Sequence, residues 1–279
     1  MDVGNFQGTR KHFKTKQMIM FPKTYIQFSH NNIPATRNLY DAWIGFTAMG
    51  YDVVPFQWNE SVLSTDKLKD VTKQDIVCAG IPVYNSVLTH LGVKVPEPLD
   101  YPECFLKQPS VYLGRTINKT TLKEIRDEVE KRTLPTTFIK PVKQKQFTGF
   151  VVRTFLDMLK VVQLDDNTEL YSSTPIKFLS EYRVYVNQNY SDVNDGILSI
   201  GHYNGNPTVF PNVDVIKDMI ALYNRYGAPV AYSLDVGVVD NNKTVLVECN
   251  AFSCLGNYSC PSILYAKSME AYWRSVVEK

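Results

Sequence analysis

The residues best placed to do chemistry lie in SLDVGVVDNNKTVLVECNAF, residues 233–252. Two alternating apolar runs flank Asp240-Asn241-Asn242-Lys243. Asn tolerates the left-handed backbone that tight hairpin turns require. A two-residue or a four-residue loop centred between Asn241 and Asn242 sets Asp235 opposite Glu248 in either case. Side chains on a strand alternate with period two, so Asp235, Glu248 and Asn250 share one face, and Val236, Val245, Val247 and Cys249 take the other. Directly opposed residues have Cβ atoms roughly 4.5–5.5 Å apart, and like charges placed so repel. A cation between them removes the conflict. Two carboxylates and an amide oxygen suit magnesium better than zinc, and magnesium held by one or two carboxylates usually carries substrate phosphates as well. The competing reading is a solvent-facing edge hairpin whose charges are screened by Lys243 and water.

Two further segments offer cations. Residues 138–150 read FIKPVKQKQFTGF. Lys140 ends an apolar run before Pro141 and is placed to hold an anion. The stretch Lys143–Gly149, with Lys143, Lys145, Thr148 and Gly149, can cover phosphates with ammonium groups and backbone N–H. No GxxxxGK[ST] loop occurs, and an exposed basic turn explains the same residues. Residues 181–186 read EYRVYV, with Glu181, Arg183 and Tyr185 on one face. An Arg beside a phosphate site neutralises charge on a transferring phosphoryl group. The alternative is a pair with Glu181, worth a fraction of a kcal/mol if exposed. None of the four histidines falls in a catalytic motif.

These segments need elements to hold them. Tyr25–Phe28, Tyr51–Phe56 and Asp75–Ala79 read as strands, with helices over the Leu39–Met49 and Val83–Leu91 spacings. That order predicts a small α/β layer with parallel pairing. Prolines 96, 98, 102 and 109 mark a junction. After it come a charged helix over 121–132, strands over 137–141, 149–152, 176–186, 197–203, 230–239 and 243–250, and one helix over 213–226. The boundaries predicted are a flexible basic leader over 1–20, an α/β domain over 21–114, and an α+β domain over 115–279, divided at 180/181.

Composition sets the class. A net charge of +2 points to neither a nucleic-acid binder nor an acidic solvating chain. The basic leader, with Arg10, Lys11, Lys14 and Lys16, leaves nucleic acid as a secondary expectation. No run reaches the ~18 apolar residues of a membrane helix. Five scattered cysteines without zinc spacing fit a reducing, cytoplasmic setting. Nothing here sets the oligomeric state.

Taken in order, Lys140, the loop Lys143–Gly149, the EYR strand, Asp235 and the ending Val-Glu-x-Asn followed by a small-residue loop resemble the ATP-grasp superfamily over about residues 115–279. The similarity is greatest to a clade common in bacteria and bacteriophages, with "KP … K-x-F-x-G" and "EYRV" segments, whose members are mostly predicted ligases. The resemblance implies an ATP-grasp fold, two antiparallel sheets clasping ATP, preceded by a pre-ATP-grasp-like α/β domain. It implies ATP and magnesium as cofactors, and a carboxylate activated as an acyl-phosphate and joined to an amine. The substrates would be small molecules, peptides or a modified nucleotide. By the same resemblance Lys140, Lys143 and Lys145 contact ATP phosphates, and Gly149 closes the loop. Tyr171–Ser173, with Ser172 and Ser173, forms the adenine hinge. Glu181 binds ribose or orients Arg183, and Arg183 stabilises the acyl-phosphate. Asp235, Glu248 and Asn250 carry magnesium, and Cys254–Tyr258 faces the acceptor through the Gly256 N–H groups. Many relatives carry another basic residue on the strand after EYR, where this chain offers only His202. An ATP-binding regulatory or scaffold protein without turnover, or a kinase on the same site, remains open.

Overall fold

The computed structural model describes residues 22–58, 66–143 and 146–279. The expected leader over 1–20 and the expected phosphate ligand Lys145 lie outside the described residues. The first layer is β1 (Lys23–Phe28), α1 (Arg37–Ala48), β2 (Asp52–Gln57), β3 (Ile76–Cys78) and α2 (Ile81–His90). Its sheet has order β2-β1-β3 and is wholly parallel, as strand–helix–strand connections require. The proline-rich stretch holds two single-turn helices, α3 (Glu103–Leu106) and α4 (Pro109–Tyr112).

Two four-stranded antiparallel sheets follow. The smaller contains β4 (Ile117–Thr121), β5 (Thr137–Pro141), β6 (Phe150–Val152) and β7 (Glu169–Ser173), in order β4-β7-β5-β6. It is backed by α5 (Leu122–Glu130), which starts in a reciprocal capping box between Thr121 and Glu124. The larger contains β8 (Ser180–Asn187), β9 (Ile197–Gly205), β10 (Ala231–Val238) and β11 (Thr244–Ala251), in order β11-β10-β8-β9. Between β9 and β10 runs α6 (Val213–Arg225), capped by the Asn212 side chain.

Every residue of β10 is buried. Tyr232, Leu234 and Val236 pack with Ile216, Met219 and Ile220 of α6. The opposite face presents Ser233, Asp235 and Gly237, which are small or polar, so the floor of the cleft lies there. The closing helix, α7 (Ser262–Val277), packs Tyr265, Met269, Tyr272 and Trp273 into the core of the first layer beside Phe46, Val83 and Leu88. The first layer is thereby tied to the larger sheet. Among the described residues no helix is long and apolar enough to cross a membrane.

Candidate active site

The hairpin β10–β11 sets Asp235 opposite Glu248, by a route different from either loop predicted. The turn has three residues, Asp240–Asn242, with Asn242 left-handed at φ 60°, and the Val239 N–H donates to the Lys243 carbonyl at 2.9 Å. This offsets the pairing by one residue: Val236 faces Leu246 and Gly237 faces Val245. A bulge between Asp235 and Val236 restores the register, and Val247 is the extra residue. Val247 therefore drops out of the simple alternation predicted for it, and Val245, opposed to Gly237, takes the Asp235 face instead of the Val236 face predicted, where Leu246 stands in its place. Arg115, itself buried, donates to the Leu246 carbonyl at 3.2 Å and the Val247 carbonyl at 3.3 Å.

Asp235 sits between two neighbours, Glu248 on β11 and Arg183 on β8. Arg183 grips it with two parallel bonds, Nε to Oδ1 at 2.8 Å and Nη2 to Oδ2 at 2.6 Å. Lys140, from β5 of the smaller sheet, donates to Glu248 Oε2 at 2.8 Å and to Asp100 Oδ1 at 2.8 Å. The repulsion between the opposed carboxylates is thus answered by side-chain cations, so the pair needs no metal for its own stability. Asn250 Nδ2 lies 3.3 Å from both Asp235 Oδ2 and Glu248 Oε1.

Lys140, Gly149, Arg183, Glu248 and Asn250 line one cavity of about 380 Å³, together with Asp100 and the loop Ser253–Gly256. Gly149 fits because a Cβ there would stand 2.7 Å from the Phe138 ring and 3.0 Å from Lys140 Cβ. Burial pushes the Asp235 carboxyl up to about 6 against the pull of Arg183. Burial also raises Asp100, which Lys140 opposes. Glu248 is pushed up by burial too, but Lys140, Asn250 and Arg183 outweigh this and leave it lowered. Lys140 is held protonated: burial works against its charge, and Glu248, Tyr101 and Asp100 more than compensate.

The other predicted residues are placed as follows. Lys143 is exposed and lines a neighbouring cavity of about 590 Å³, which shares Ile81, Ala251 and Ser253 with the first. Ser172 and Ser173 lie in β7, paired with Asn118 and Ile117 of β4 and with Ile139 and Phe138 of β5, and neither lines these two cavities. Glu181 does not orient Arg183. It accepts from Tyr203 Oη at 3.1 Å and Asn204 Nδ2 at 2.6 Å. His202 does not replace a missing cation: it opposes Tyr182 and packs its ring on that residue at 5.1 Å, away from the Arg183 face. The position opposite Arg183 is Gly201, where a Cβ would lie 2.5 Å from Ser259 Oγ. The loop after β11 occupies the room a basic side chain would need. In that loop it is the Gly256 carbonyl that is engaged, by Arg183 Nη1 at 3.2 Å and Tyr185 Oη at 3.0 Å.

Two participants, Asp100 and Tyr203, escape the sequence reading, and Tyr258 enters it only as the end of the acceptor-facing loop. Asp100 lies in the proline-rich junction with no pattern around it. Tyr258 and Tyr203 stack at 5.2 Å, with the Arg183 guanidinium 5.1 Å and 6.0 Å from their centroids. Each is a single polar residue brought in by tertiary packing.

The donor set fits a hard, oxygen-bound cation. Among the described residues no three His, Cys, Asp or Glu side chains converge to hold a metal. The set here has two carboxylates and an amide. The Asn250 –NH₂ now bridges one oxygen of each carboxylate, and an amide flip would turn its oxygen towards the same point.

A protein-family model for an ATP-grasp domain, family 2 of its clade, matches residues 112–268, more than half of the chain. No curated protein matches it in sequence. Among solved structures, the D-alanine–D-alanine ligase from Bacillus anthracis complexed with ATP superposes with TM-score 0.55 at 15% identity, covering 92% of this chain and 96% of that one. The N5-carboxyaminoimidazole synthetase from Staphylococcus aureus gives TM-score 0.55 at 10% identity, covering 90% and 77%. The counterpart from Aspergillus clavatus, in complex with ADP and 5-aminoimidazole ribonucleotide, gives 0.55 at 13%, covering 92% and 77%. At these identities the likeness shows the fold, and the family match over 112–268 makes this chain a member of that ATP-grasp domain family.

Proposed function

We propose that the chain binds ATP with magnesium in the 380 Å³ cavity and activates a carboxylate there as an acyl-phosphate for attack by an amine. One observation carries the reading: Lys140, Arg183, Glu248 and Asn250, drawn from both antiparallel sheets, line one cavity in an ATP-grasp fold, with Asp235 buried directly beside Arg183 and Glu248. Asp235, Glu248 and Asn250 would hold magnesium, which neutralises phosphate charge when bound. Lys140 binds phosphate oxygens and keeps its proton throughout. Arg183, already committed to Asp235 through two donors, presents its remaining N–H groups to the transferring phosphoryl group. The smaller sheet, through Lys143 and Gly149, covers the nucleotide and excludes water. Ligation follows by electrostatics and positioning, without a covalent enzyme nucleophile. The relatives in complex with ATP and with ADP and a ribonucleotide support this assignment of the cleft.

The test is magnesium-dependent nucleotide binding, followed by mass spectrometry of products from pooled carboxylates and amines. D235N and E248Q should each weaken magnesium-dependent ATP binding at least about tenfold while leaving the fold intact. Undiminished binding in both variants removes the metal site. ADP and phosphate appearing only when a carboxylate and an amine are both present supports ligation, and a stable phosphorylated product without amine marks a kinase instead.

A further inference from the structure

Lys140 has two carboxylate partners of unequal standing. The Asp100 side chain is 6% exposed and the Glu248 side chain 30%. Both line the cavity, but a ligand entering it meets the more exposed Glu248 far more readily than Asp100. Asp100 is also fixed at the backbone. Its carbonyl accepts from the Cys249 N–H at 2.7 Å, which stitches it to β11 beside Glu248. It adopts a left-handed conformation, φ 31°, that the contact with β11 holds in place. The Lys140 ammonium lies 4.7 Å from the Tyr101 ring centroid and 6.0 Å from that of Tyr171, so aromatic rings flank it on the side away from the cavity that it lines. Asp100 precedes the family match at 112–268, so the first part of the chain supplies it.

We propose that Asp100 is a positioning residue for Lys140: it retains and aims the ammonium when Glu248 turns away to serve the metal and nucleotide. The inference rests on the nucleotide reading above. In the structure Lys140 is shared, one N–H to each carboxylate. If Glu248 is engaged elsewhere, an ammonium without Asp100 follows Glu248 or retracts over the tyrosines. With Asp100 it keeps one charge-assisted bond and presents its other N–H groups to the cavity.

A double-mutant cycle on the full chain tests this, read as affinity for a fluorescent ATP analogue with magnesium. D100N should weaken binding about tenfold in the unaltered background. In the K140M background it should change affinity less than about twofold, since there is no ammonium left to place. D100E, which keeps the charge, should bind better than D100N, although Asn is nearer to Asp in size. Equal weakening by D100N in both backgrounds overturns the proposal, as does Asn tolerated better than Glu. Should D100N not fold, D100E decides: binding within about threefold of the unaltered chain supports it, and a loss as large as that of K140M overturns it. No binding by the unaltered chain removes the nucleotide reading and this inference together. Binding by the unaltered chain with an additive cycle removes only this one.

Discussion

Arg183→Met isolates what holds Asp235. Methionine keeps a long apolar stem beside the Tyr203–Tyr258 stack and deletes the charge. Asp235, 3% exposed, then loses both bonds from Arg183 and faces Glu248 with only Ser233 and Asn250 beside it. Removing one partner of a buried ion pair costs about 3–5 kcal/mol. For a chain of this size that lowers Tm by roughly 5–9 °C. The pH dependence gives the sharper signature. Burial already raises the Asp235 pKa to about 6 in the presence of Arg183, and without Arg183 it rises further. A carboxyl raised in the fold destabilises progressively from its unfolded value, about 3.9, up to its folded value. Unaltered chain and variant share that penalty up to about pH 6; above it only the variant keeps losing stability. The gap should therefore open above about pH 6 and shrink below it. Thermal unfolding of both proteins across this range is the assay. D235N in the R183M background should recover most of the loss at neutral pH. A gap below about 1 kcal/mol, or one independent of pH, refutes the buried pair.

Two other substitutions probe the frame of the site. Arg115→Met leaves the buried Leu246 carbonyl and the half-buried Val247 carbonyl without their Arg115 donor and should cost about 1–3 kcal/mol in denaturant unfolding, with faster amide exchange across β11; unchanged exchange would mean the bulge stands without it. Gly201→Lys inserts a side chain where Ser259 and Tyr258 now sit. It should cost about 1–3 kcal/mol and weaken substrate binding rather than restore a useful cation; tighter nucleotide binding would show that the position opposite Arg183 admits a basic residue.

Local periodicity made the central strands legible. Thr137–Pro141 is predicted and found with the same limits, and the alternation around Asp235 and Glu248 yields the correct opposed pair. The parallel layer follows from strand–helix order. Besides the two single-turn helices of the junction, three longer elements escape. β4, INKTT, and β7, ELYSS, are short and largely polar, and they form strands because neighbouring strands supply their hydrogen bonds. The helix α7 does carry a signal, since Tyr265, Met269, Tyr272 and Val276 recur at helical spacing, but a reading built on hairpins passes over it. In the site, the charged residues of the strands, Gly149 and the loop after the last strand are legible, and Asp100 in the irregular junction is not. His202 shows the limit. Chain order places it near Arg183, but a bulge between Glu181 and Tyr182 turns it towards Tyr182 on the opposite face.

The turn and the bulge together explain why the register argument succeeds with the wrong loop. A three-residue turn alone would oppose Asp235 to Val247 and aim Glu248 away from the site. The extra residue at Val247 cancels that offset, and Arg115 from the preceding segment satisfies the carbonyls that the bulge frees. The fold thus devotes a buried arginine to keeping two carboxylates adjacent, an arrangement sheets otherwise avoid. Stability does not favour it: apolar residues in place of a buried ion pair are often neutral or stabilising. Asp100, Asp235 and Glu248 against Lys140 and Arg183 leave one negative charge beside an open cavity, and none of the five is needed to close a core. A cluster that contributes little to folding, and is held by a bulge with its own clamp, is what a site for cationic metal and anionic phosphate requires. The nucleotide reading supplies both.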